Sequence, residues 1–122
     1  ELRGCNEALE DALGEPVRYF RPPHGARRPI VLQIARELGL TTVQWNVKGK
    51  DWEPIGVDGI LRNLESGMRR ATARGRGSNI LLHDGYDRSM GADRSGAVQA
   101  TDLLLRQLGG TAHRLVTVGA WG

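Results

Sequence analysis

Apolar residues recur at helical spacing at Leu2, Cys5, Leu9 and Leu13, and the pattern stops at Gly14 and Pro16. No capping residue precedes Leu2, because the chain starts inside the pattern. A short apolar run over residues 17–20 leads into Arg21-Pro22-Pro23-His24-Gly25, where two prolines forbid helix or central strand. Pro29 suits the first turn of a second helix, whose apolar face is Ile30, Val31, Ile34, Ala35 and Leu38, with Gly39 as its cap. Val43, Trp45 and Val47 then alternate as strand residues do, and a loop follows over residues 48–54. Val57, Ile60, Leu61, Leu64 and Met68 mark a third helix, which fades into Arg74-Gly75-Arg76-Gly77. Ile80-Leu81-Leu82 reads as a short, fully apolar strand ended by His83-Asp84-Gly85, and a polar loop runs on to about Arg94. Ala97, Val98, Thr101, Leu104, Leu105 and Leu108 predict the last helix, and Leu115, Val116 and Val118 the last strand.

Strands alternating with helices predict an α/β fold of parallel strands with packed helices and right-handed crossovers. In such folds, sites gather in the loops at the carboxyl ends of the strands. Three of those loops carry reactive residues: Arg21 and His24, Asp51 and Trp52, His83 and Asp84. The opposite ends carry none, so Arg21, His24, Asp51, Trp52 and His83 are expected to converge on one face. Four strands with helices on one side would leave open edges at residues 17–20 and 115–118, which need the rest of a barrel or another chain to leave water.

Composition narrows the class. With 122 residues, one domain is expected, and 39% hydrophobic against 25% charged residues is ordinary for a globular domain. No apolar run approaches the ~20 residues of a membrane span. The opening residues do not form a signal peptide, since no apolar stretch follows the charge. One cysteine, Cys5, excludes an internal disulfide and any Cys-rich zinc site. The net charge of +3 is too mild to argue for nucleic acid. Arg69, Arg70, Arg74 and Arg76 form the densest basic stretch, but no aromatics interleave with them, and arginines there complement the end of a helix. Seventeen glycines imply many tight turns and short elements.

Each reactive loop has a plain reading and a chemical one. Gly25 after two prolines permits a sharp turn that would free an amide for an oxyanion, or is simply a strand-to-helix turn. Asp51 beside Trp52 would form the wall of a sugar site, or is a surface aspartate next to a core tryptophan. His83, where a buried strand opens into solvent, suits general acid or base work, or is a histidine satisfied at a strand end. His113, ahead of the last apolar run, reads as structural.

The ordered set Phe-Arg-Pro-Pro-His-Gly, Trp-Asn-Val-Lys-Gly-Lys-Asp-Trp, Asn-Ile-Leu-Leu-His-Asp and Leu-Val-Thr-Val resembles the polysaccharide deacetylases, the NodB-homology domains of carbohydrate esterase family 4. The resemblance runs from Glu1 to about Val118. It covers the last three of the family's five motifs, so the chain is expected to be the C-terminal portion of such a domain, part of a distorted (β/α) barrel. The family's metal-binding portion, an aspartate pair and two histidines, is expected to lie ahead of Glu1.

The resemblance implies a metal-dependent hydrolase that removes N-acetyl or O-acetyl groups from a polysaccharide such as peptidoglycan or chitin. By that reading His83 is the general acid, Asp51 pairs with it and favours its charged form, and Arg21 orients a base aspartate outside this chain. The His24 amide would help hold the oxyanion, Trp52 would wall the groove, and Leu81 would line the acetyl pocket. A divalent metal, zinc by expectation, would have its ligands outside this chain. An extracellular or cell-envelope location is implied as well. Lys48 departs from the pattern, since the family often has an aspartate there, which bears on groove shape. The alternative is a non-catalytic sugar-binding remnant, with Trp52 and His24 facing the saccharide.

Overall fold

The computed structural model describes residues 1–85 and 90–121. The chain divides into two compact units, Glu1–Gln44 and Trp45–Gly122.

In the first unit, helix α1 spans Leu2–Leu13 and ends where expected. Gly14 takes up φ 69°, a left-handed turn that other residues adopt only with strain, and its amide donates to the Glu10 carbonyl at 2.8 Å. Strand β1, Tyr19–Phe20, runs parallel to β2, Thr41–Thr42, with Tyr19 opposite Thr41 and Phe20 opposite Thr42. The crossover between them carries helix α2, Pro29–Glu37, with Pro29 in its first turn. Helices α1 and α2 pack together, and an exposed Arg3–Glu37 ion pair joins them, a kind of contact worth little in water. Pro22, Ala35, Leu40 and the polar Asn6 are buried.

In the second unit, strand β3, Val47–Lys48, runs parallel to β4, Ile80–Leu81, with Val47 opposite Ile80 and Lys48 opposite Leu81. Helix α3, Gly56–Thr72, forms the crossover, and helix α4, Ser95–Leu108, packs on it. Val47, Ile60, Leu64, Ala100 and Leu104 form the core, flanked by Ile55, Val57, Leu61, Met68, Ile80, Leu82 and Leu108. Gly67 lets α3 lie directly on β3: a Cβ there would sit 2.7 Å from Val47 Cγ1. Asn46 locks the entry of the ladder, its Oδ1 accepting from the Asn79 amide and its Nδ2 donating to the Gly77 carbonyl, both at 2.8 Å.

The architecture is thus mixed α/β, with short parallel strands and packed helices, as expected. Two expectations are corrected. The alternation Val43, Trp45, Val47 is not one strand. It straddles the boundary between the units, with β2 ending at Thr42 and β3 beginning at Val47. Alternation in sequence is blind to which neighbouring strand supplies the hydrogen bonds. The last apolar run forms no strand either: among the described residues nothing pairs with residues 113–117, and a 3-10 turn follows at Val118–Ala120. Leu115 and Val116 stay exposed, because a strand exists only as part of a ladder. The expected polar loop extends over residues 86–89, outside the described residues. No described helix is long and apolar enough to cross a membrane.

Candidate functional site

Two residues past the end of β3, the chain turns through Lys50, at φ 57°, and delivers Asp51 into the protein. The turn is held from both sides. The Gly49 amide donates to the Leu81 carbonyl of β4 at 3.2 Å, and Asn63 of α3 donates from Nδ2 to the Gly49 carbonyl at 3.0 Å. A Cβ on Gly49 would meet Leu82, Ile60 and Leu64, so this loop rests on the core itself.

The Asp51 side chain is 0% exposed, and both its oxygens are spent on His83. Oδ2 accepts from the His83 backbone amide at 2.8 Å and Oδ1 meets the ring Nδ1 at 3.0 Å. An ionised carboxylate only accepts, so Nδ1 carries a proton here. The other ring nitrogen, Nε2, has no partner among the described residues, and the His83 side chain is 39% exposed. One carboxylate thus fixes the backbone and the ring of His83 together, leaving one nitrogen for chemistry.

Trp52 stands edge-on to this imidazole, with centroids 5.3 Å apart and planes at 86°. That contact restrains ring rotation, and the exposed remainder of the indole forms an apolar wall beside it. Arg94, just before α4, spans the two loops: Nη1 donates to the Asp51 carbonyl at 3.1 Å and Nε to the Gly85 carbonyl at 3.0 Å. Leu81 is half-buried on β4, opposite Lys48. The Lys48 ammonium sits 5.9 Å from the centre of the Trp45 ring.

The first unit carries the other predicted residues. Pro22 is buried and extended, and a single 3-10 turn follows at Pro23–Gly25. His24 itself is left-handed, at φ 54° and ψ 12°, as is Gly25. The Gly25 amide donates to the Pro22 carbonyl and the Ala26 amide to that of Pro23, each at 3.0 Å. The His24 amide makes no hydrogen bond among the described residues. That amide is the one the family resemblance names for the oxyanion, and it lies in the turn that Gly25 was expected to permit. The His24 and Arg21 side chains are exposed.

Of the five residues expected at one face, the structure brings Asp51, Trp52 and His83 together within the second unit, while Arg21 and His24 belong to the first. Asp84 is exposed, and His113, also exposed, lies 2.9 Å through Nδ1 from the Thr111 hydroxyl. Among the described residues, no three His, Cys, Asp or Glu side chains form a group that could hold a metal ion. Sequence reasoning missed Asn63 and Arg94. A signal for Arg94 existed: a cation at a helix N-terminus opposes the helix dipole, so something other than the helix must hold it.

Comparison with known proteins bears on the family and the fold. A family model described as polysaccharide deacetylase matches residues 1–43. A chitooligosaccharide deacetylase of Azorhizobium caulinodans is 33% identical over 86 residues, which cover 70% of this chain and 38% of that protein. The chain therefore spans well under half the length of that relative. Among solved structures, a peptidoglycan N-acetylglucosamine deacetylase superposes with a TM-score of 0.77 at 29% identity, over 95% of this chain and 50% of the other. A carbohydrate esterase family 4 pseudoenzyme from Bacillus anthracis superposes with a TM-score of 0.75 at 23% identity, over 95% of this chain and 36% of the other, a likeness of fold alone. The sequence motifs, the parallel-strand architecture and these likenesses agree, and the chain belongs to the polysaccharide deacetylase family, of whose domain it spans a part.

Proposed function

We propose that this chain supplies the proton-donating side, and part of the sugar groove, of a hydrolase that removes N-acetyl groups from an amino-sugar polysaccharide. The observation that carries the reading is the double hold of buried Asp51 on His83. Breaking an amide requires a proton for the departing amine. A half-exposed imidazole, fixed at Nδ1 and open at Nε2, is built to deliver one. The carboxylate holds the ring through Nδ1 and prevents it from turning the wrong nitrogen outward. Trp52 offers an apolar wall suited to the face of a sugar ring. Arg21 and the His24 amide are assigned, by family resemblance, to orienting a base aspartate and holding the oxyanion. Leu81 is assigned in the same way to the acetyl pocket.

The related deacetylases act on chitooligosaccharide and on peptidoglycan N-acetylglucosamine. An N-acetylated glucosamine polymer is therefore the proposed substrate, and the cell envelope or exterior the proposed location. Dependence on a divalent metal, zinc by resemblance, belongs to the proposal. The described residues do not form such a site, so its ligands would lie outside them. The contacts that join Asp51, Trp52 and His83 lie in this chain and support the roles proposed for them.

The test is acetate release by the full-length protein from an N-acetylated chitooligosaccharide and from peptidoglycan, with and without a chelator. Release is expected, abolished by chelation, and lowered about 10²–10⁴-fold in His83→Ala. Saccharide binding with no release in any metal would overturn the proposal in favour of a sugar-binding remnant. Wild-type turnover by His83→Ala would remove His83 from the role of acid.

A further inference from the structure

The two loops that carry Asp51 and His83 leave the β3–β4 ladder after only two residue pairs. A ladder that short does not by itself hold two loops in register at its open end. Past it, the Gly49–Leu81 bond is the last main-chain tie between them among the described residues, and Asp51 reaches His83 by its side chain. Arg94 is placed beyond both. Its guanidinium donates from Nη1 to the carbonyl of Asp51 and from Nε to the carbonyl of Gly85, two residues after His83. The planar fork thus bridges the main chain of the carboxylate loop to the main chain of the histidine loop, on the far side of the ion pair from the ladder. Its own position is set by α4. Asp93 accepts from the Ser95 amide at 2.8 Å and from the Ser95 hydroxyl at 3.1 Å, which fixes the turn from which Arg94 projects.

We propose that Arg94 is a positioning residue for the proton donor: it clamps the Asp51 and His83 loops together so that the carboxylate can grip the amide and the ring of His83 at once. The proposal rests on the reading of His83 as the acid. Through its two carbonyl bonds Arg94 acts on the backbone that carries the carboxylate and the imidazole. Both acceptors are carbonyls of different loops, so the geometry of the fork matters, and a lysine ammonium, a single point charge, cannot reproduce it. A shift of about 1 Å in a catalytic group is enough to cost on the order of a hundredfold in rate.

The experiment compares Arg94→Ala and Arg94→Lys with wild type in the full-length protein, with Arg106→Ala as a control in the same helix and remote from the site. Two readouts are taken. One is the His83 ring, by nitrogen-15 chemical shifts that report the Nδ1–H tautomer, together with the exchange rate of the His83 amide. The other is kcat and KM for acetate release from N-acetylated chitooligosaccharide. In both Arg94 variants the Nδ1–H form should lose its dominance and the His83 amide should exchange faster. kcat should fall at least about tenfold with KM changed less than about twofold. Free guanidinium should restore part of kcat to Arg94→Ala but not to Arg94→Lys. A folded variant with the wild-type His83 spectrum overturns the proposal, and so does an Arg94→Lys protein with wild-type kcat. Should Arg94→Ala not fold, Arg94→Lys decides alone. Should the wild type release no acetate, the assigned reaction falls, while the His83 spectrum still decides whether Arg94 positions it.

Discussion

The two units present the same element of design and complete it differently. Each has a two-residue parallel ladder, a helical crossover and a reactive loop leaving the carboxyl end of a strand. In the second unit the loops are tied by side chains: Asp51 to His83, Arg94 to both main chains, Asn63 to Gly49. These ties stand on a connected core centred on Leu64, which is 0% exposed. In the first unit the loop after β1 is shaped by prolines and two left-handed residues, and what it offers is a backbone amide with two exposed side chains. A loop that must aim a proton-bearing ring needs side-chain bonds and a core beneath them. A loop that presents an N–H needs only its own backbone geometry.

The largest effect that would sharpen this contrast is in the cores. Leu64→Ala should destabilise the protein by about 2–5 kcal/mol, and the matched Leu40→Ala of the first unit should fall at the lower end of that range, because fewer buried neighbours surround it. Urea denaturation of both variants measures it. Equal losses would mean that the two units do not differ in how firmly they support their loops.

Next come the loops themselves. Asp51→Asn keeps the shape but sets an NH2 group against a donor on His83, so a loss of about 1–3 kcal/mol is expected together with faster exchange of the His83 amide. His24→Gly should stay within about 1 kcal/mol of wild type, since glycine takes the left-handed conformation without a Cβ penalty. If His24→Gly proved the more damaging, the side chain rather than the backbone would define that loop.

The smallest effect is a pH dependence at the start of α4. The Ser95 amide, and then its hydroxyl, hold the Asp93 carboxyl below the usual carboxylate range. A depressed folded value means stability present above the unfolded value, near 3.9, and lost as the pH falls through the folded one. Amide exchange in the first turn of α4 should therefore accelerate only in strongly acidic solution, and Asp93→Ala should abolish that dependence. Because the group is exposed, an effect that spread beyond α4 would be unexpected.

The four helices were legible because each carries an apolar stripe, and three carry a boundary signal as well: Gly14 after α1, Pro29 at the start of α2 and the arginines in the last turn of α3. The reactive loops were legible as well, since Asp51, Trp52 and His83 stand just past apolar strand residues and fall into an ordered set of motifs. Strands were read poorly. Val43, Trp45 and Val47 alternate without forming one strand, and Leu115, Val116 and Val118 form none among the described residues, because a helix closes its own hydrogen bonds and a strand needs another segment to accept them.

The sequence by itself therefore determined the helices, the kind of fold and the family, and it singled out the loops of Asp51, Trp52 and His83, all properties carried by local periodicity and by residue type at fixed spacing. Tertiary structure decided which residues act on one another. That Asp51 spends both oxygens on His83 and that Arg94 reaches across two loops follow from segments up to 43 residues apart being brought within hydrogen-bond distance. A hydrogen bond depends on position in space to within tenths of an ångström, and separation along the chain carries no record of that.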